Sequence, residues 1–215
     1  MPVSEPTTLL TNAVLASVAA ALAARLLRAG RSPARAAVRL WAAALLAGAA
    51  AAAAGAIVHG FAPVLPALAH AVLWKVVLVA AGLACWLLLS GSALAALEGA
   101  ARVSVLVAAA IQFAVYGALV ARSNDITLTA TYGAVTIVAL LALGLVTARR
   151  DPARLAWLLL GLALSAAGIA AQRARVAGPG PFNHNDVCHV LQTVALWPFY
   201  RVGLRLQPRS TSSPA

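Results

Sequence analysis

Charge is what this chain has least of. Only 10% of its 215 residues are Asp, Glu, Lys or Arg, where a soluble domain carries about 25%. Its apolar share of 63% exceeds the roughly 45–50% of globular chains. A water-soluble domain of this length has nowhere to hide that much apolar surface, so soluble classes are excluded. Apolar stretches of ~20 residues recur from end to end, the length that crosses a ~30 Å hydrocarbon layer as helix. The expected fold class is all-α, a polytopic transmembrane bundle.

Acidic residues are scarcer still, five against sixteen Lys and Arg, for a net charge of +11. Such a balance can mark a nucleic-acid binder. Here, however, Arg is nearly the sole cation and lies in short clusters between apolar segments, which read as topology signals facing an anionic leaflet. Membrane lipid is the partner the composition implies; nucleic acid is not, and no protein partner is legible. The heavy use of Ala and Arg points to a bacterial source and a multi-pass place in the cell (plasma) membrane.

Cysteine is nearly absent. Cys85 falls 15 residues past His70, about 22 Å deeper by helical rise, whereas Cys188 sits near a helix start. A disulfide needs Cα atoms within about 7 Å, so two free thiols are expected. The opening "MPVSEPTTLL" has no basic residue before its apolar run, so it reads as the lead-in to a spanning helix rather than a cleaved signal peptide.

Seven apolar segments make one domain over 1–206. They run at about 7–28, 35–59, 66–90, 101–121, 126–148, 153–173 and 186–206. Gly30 and Pro33 break the first from the second, and Gly60 and Pro63 stop the second. "SGS" at 90–92 is expected to end the third, and the tail 207–215 is expected to be disordered. The run "AAAAAAGA" in the second segment offers close backbone approach, which places that helix centrally.

Orientation follows from counting Arg in alternate loops. One set holds Arg25, Arg28, Arg31, Arg35, Arg39, Arg102, Arg149, Arg150, Arg154, Arg201, Arg205 and Arg209; the other holds only Arg122, Arg173 and Arg175. The richer set is expected in the cytoplasm. That puts the N-terminus outside and the C-terminus inside.

All four histidines then fall at one end of the bundle. His59 closes the second segment, His70 opens the third, and His184 and His189 open the seventh within "FNHNDVCHV". Asp186, His189 and Thr193, spaced i, i+3 and i+7, share one helical face with Gln192 beside it. His184 lies about 140° from His189 on a regular helix and is expected to act from the loop. Asn183 or Asn185 is expected to cap the helix. Imidazoles from three helix ends beside a carboxylate are what Zn²⁺ or another divalent first-row metal takes. His59, His70 and His189 are the expected metal ligands. His184 serves as alternate ligand or base, and Asp186 orients an imidazole or handles a proton. Asn183, Asn185, Gln192, Thr193 and Lys75 are supporting polar groups. The competing reading is a structural polar cluster that ties the second, third and seventh helices together.

"HGF" at 59–61, "LWK" at 73–75 and "FNHNDVCHVLQ" at 182–192 resemble an uncharacterised family of small bacterial seven-helix membrane proteins. More distantly, the chain is similar to the alkaline ceramidases and the progestin and adipoQ receptors, seven-helix proteins with an intramembrane zinc site. That resemblance implies a zinc-dependent hydrolase of a lipid amide or ester, with His59 and His189 matching two ligand positions. The chain departs from the pattern at Asn185, where the first His of HxxxH would stand, and at Gly55, where a Ser would precede His59. His70 falls about where the ceramidases carry an assisting Asp.

Overall fold

A computed structural model describes residues 3–29 and 35–206. The Gly30–Pro33 break and the expected disorder of 207–215 lie outside the described residues. Those residues form seven α-helices and no strand: α1 Pro6–Ala29, α2 Ala36–Phe61, α3 Ala67–Ala96, α4 Gly99–Arg122, α5 Ile126–Val146, α6 Pro152–Arg173 and α7 His184–Arg205. Helices α1 to α6 are long and apolar enough to cross a membrane. Helix α7 has 22 residues, about 33 Å by helical rise, but its first turns are polar and Arg201 and Arg205 sit in its last.

Neighbour relations close a ring. Helix α1 packs between α2 and α7, α2 continues to α3, α3 to α5, α5 to α6, and α6 returns to α7. Helix α4 lies outside this ring against α3 and α5, and α2 also touches α7. Among the described residues α3 and α7 do not meet. Helix α2 is central, as its small residues imply: 61% of its most apolar window is buried, against 17–33% in the other five spans.

The chain runs up and down, so the bundle has a histidine end and an arginine end. At the arginine end Trp41, Leu26, Val38, Leu140 and Val202 are essentially inaccessible, and Phe199 meets Trp41 edge-on at 6.1 Å. This layer corrects the expected stop at "SGS". Helix α3 runs six residues further, to Ala96, because those small residues make room for Trp41. A Cβ on Gly91 would lie 2.5 Å from the Trp41 ring, and Ser92 Oγ accepts from Trp41 Nε1 at 3.3 Å. Small residues that end a helix in water pack one in a bundle.

Toward the histidine end, Tyr116 of α4 donates to the Leu78 carbonyl of α3 at 2.6 Å and pairs with Thr129 of α5 at 2.8 Å. That joins the peripheral helix to the ring. Cys85 and Cys188 are both free thiols.

Candidate functional site

Helix α7 begins at His184, two residues earlier than its apolar pattern implies, because Asn183 and Asp186 build a reciprocal cap. Asn183 Oδ1 accepts from the backbone N–H of Asn185 (2.7 Å) and Asp186 (3.2 Å). Asp186 Oδ2 in turn accepts from Asn183 N–H at 2.8 Å. Orphan N–H groups of the first turn are satisfied in this way, as in a capping box. His184 is therefore the first helical residue, a correction to its expected place in the loop. It is half-buried and joins no side-chain hydrogen bond among the described residues.

The partner of this cap is α1, expected as an apolar span with no part in the site. Glu5, Thr8, Thr11 and Asn12 recur at helical spacing and face α7 and α2. Asp186 is fully buried, and its Oδ1 accepts from Thr11 Oγ1 at 3.2 Å. Thr11 Oγ1 also lies 3.2 Å from His189 Nδ1. The Thr8 carbonyl is equally near Thr11 Oγ1 at 3.2 Å, but the carboxylate is the stronger acceptor, so the single hydroxyl proton goes to Asp186 and Nδ1–H of His189 donates to Thr11. Asn183 Nδ2 donates to Thr8 Oγ1 at 3.0 Å and to Glu5 Oε2 at 3.5 Å. Asn12 fills the space left by Gly55, where a Cβ would sit 3.3 Å from its Oδ1.

His59 belongs to the same cluster. Its Nδ1 lies 3.3 Å from Glu5 Oε2, which places the carboxylate of the α1 end against the α2 imidazole. Its ring meets that of His189 edge-on, centroids 6.5 Å apart. Ser4 secures the arrangement by closing α2: its N–H donates to the Gly60 carbonyl at 3.0 Å and its hydroxyl to the His59 carbonyl at 2.6 Å. Those are carbonyls that a helix end leaves without partners.

The remaining expected residues scatter. His70 does not join His189; it lines an open cavity of about 430 Å³ with Glu5, Val58, His59, Ala62, Ala71, Trp74 and Asn124. His59 thus pairs with His189 on one side and shares a cavity with His70 on the other. Lys75 turns away from the histidines and donates to the Val120 and Ser123 carbonyls at the end of α4. Asn185 accepts from Gln172 of α6 at 3.0 Å. Thr193 donates to its own helix at the His189 carbonyl, 2.7 Å away. Gln192 is half-buried beside them. Among the described residues no group of three or more His, Cys, Asp or Glu is placed to hold a metal ion.

Asp125 stands apart as the N-cap of α5, accepting from Thr127 Oγ1 at 2.5 Å and Thr127 N–H at 2.8 Å. The Thr127 side chain first, then its backbone N–H, holds the Asp125 carboxyl below the usual carboxylate range.

Fold and cluster together define a helical membrane protein with a hydrogen-bonded polar end. The chain matches a family of unknown function (DUF6962) over residues 7–208 and belongs to it. No curated protein and no solved structure matches it.

Proposed function

We propose that the protein is a non-enzymatic multi-pass membrane protein, a structural or sensory bundle of the bacterial cell membrane. Its histidine end faces outward and locks α1 against α2 and α7. The observation that carries this reading is Asp186: both oxygens of this buried carboxylate are already engaged within the fold, Oδ1 with Thr11 and Oδ2 with Asn183. A group acting on a substrate must be reached by it, and this carboxylate is closed off from solvent by the helices it joins. The tie runs through α1, α2 and α7 rather than α2, α3 and α7. Twelve arginines against three at the two ends support the outward placement of the histidines. In the test, His189→Ala lowers the unfolding temperature of the purified protein while chelators leave the wild type unchanged. An unaltered His189→Ala unfolding curve sinks the reading.

One observation favours a second reading, a divalent-metal-dependent hydrolase of a lipid amide or ester. Both imidazoles turn Nδ1 toward an oxygen, Glu5 for His59 and Thr11 for His189, and neither Nε2 has a partner among the described residues, the arrangement a ligating histidine uses. The fit is incomplete. A tetrahedral ion with ~2.1 Å bonds to two Nε2 atoms sets ring centroids about 5 Å apart, more than 1 Å closer than the 6.5 Å found here. His184 or His70 would have to move to supply a third ligand. Stoichiometric zinc in purified wild type, lost in His59→Ala and His189→Ala, would establish this reading in place of the first.

A further inference from the structure

The cavity between the end of α2, the start of α3 and the α4–α5 connection is not used by the tie, although two of its residues are. Glu5 spends only Oε2 on the fold, toward His59 Nδ1 and Asn183 Nδ2; Oε1 has no partner among the described residues. His59 spends only Nδ1. The His70 side chain makes no hydrogen bond among the described residues. The cavity therefore gathers one free carboxylate oxygen, two imidazoles able to accept, and the ring of Trp74 among Val58, Ala62 and Ala71.

We propose that this cavity binds a small primary ammonium group, presented by a free amine or by an aminophospholipid headgroup. A carboxylate oxygen and imidazole nitrogens accept its N–H groups. An indole face attracts the same cation when the site is partly dry. The apolar wall suits the carbon that carries the nitrogen. Size decides against a bare metal ion: about 430 Å³ far exceeds what an ion with contacts near 2.1 Å fills, and no metal-holding group is placed there.

Indole fluorescence of the full-length protein in phosphatidylcholine nanodiscs, titrated with ethanolamine, tests the proposal. Saturable binding is expected in the wild type. Glu5→Gln, which loses a charge-assisted hydrogen bond, should weaken it about tenfold or more. His70→Ala removes no hydrogen bond of the fold, so it should keep the wild-type unfolding temperature and weaken binding several-fold. Choline, with no N–H to donate, should bind far more weakly. Phosphatidylethanolamine in the discs separates the sources: competition with ethanolamine assigns the site to the lipid headgroup, and no competition to a free amine. Absent ethanolamine binding in the wild type overturns the proposal. So do equal affinities in both variants, choline binding as tightly as ethanolamine, or zinc occupying the cavity without ethanolamine displacing it. Because His189 does not line the cavity, these outcomes are separable from the His189→Ala test of the tie.

Discussion

The two ends of the bundle are held by different forces. At the arginine end Trp41 packs on Gly91, Ser92 and Phe199 and Leu26 on Gly203, so cohesion is mainly side-chain packing, with the Arg205–Asp151 ion pair at 3.1 Å beside it. At the histidine end Glu5, Thr8, Thr11, Asn183, Asp186 and His189 meet through hydrogen bonds between helices. Lipid tails are as apolar as leucine, so tight packing stabilises but discriminates poorly between partners. A buried carboxylate with two defined donors accepts only one neighbour in one register, because misplacing it strands a charge. The contrast teaches that packing supplies the stability of this bundle, and the polar end sets which helix lies against which.

The largest effect is expected at the packed end. Trp41→Ala should cost about 3–5 kcal/mol in reversible detergent unfolding, and Gly91→Ala, which drives a methyl into the Trp41 ring, about 1–3 kcal/mol. Asp186→Ala should cost about 1–3 kcal/mol by stranding the Asn183 N–H and the Thr11 hydroxyl. An Asp186→Ala loss equal to that of Trp41→Ala would erase the distinction between the ends. Thr11→Val removes both hydrogen bonds of Thr11 to α7 and should cost about 0.6–1.7 kcal/mol. Combined with Asp186→Asn, it should lose less than the sum, since both act on one network. Smallest is Asp125→Ala at the exposed α5 cap. The Asp125 carboxyl has a folded-state pKa below its ordinary value, so its contribution is complete above about pH 3.9 and disappears as pH falls through the lower folded value. The wild type and variant should differ in unfolding temperature at neutral pH and converge in strong acid.

Much of the fold was legible because each span is written locally. Length, apolar runs and breakers such as Pro63 mark helices without reference to neighbours. The shared face of Asp186 and His189 follows from i, i+3 spacing for the same reason. The Asn183-x-x-Asp186 cap was half read, and its second, reciprocal bond explains why α7 starts at His184. Helix order around the ring was not legible, because apolar faces look alike toward lipid and toward protein. That order decides why His70, at the correct end, opens onto a cavity with His59 and does not reach α7. The α1 stripe carried a signal that went unused: Glu5, Thr8, Thr11 and Asn12 repeat at helical spacing in a chain short of polar residues. Threonine hides easily in such a reading, since its hydroxyl can bond to its own helix, as Thr136 does to the Tyr132 carbonyl. "SGS" misled because the small residues that stop a helix in water are those that admit Trp41 in a bundle.

The central claim is that the histidine end is a helix tie completed by protein groups alone. Metal analysis of purified wild type, paired with thermal unfolding of wild type and His189→Ala with and without chelator, tests it most directly. A tie of protein groups alone should show no stoichiometric metal, an unfolding temperature that falls in His189→Ala, and no response of the wild type to chelation. One equivalent of metal per chain, removed by chelator together with the stability difference between wild type and His189→Ala, would contradict it.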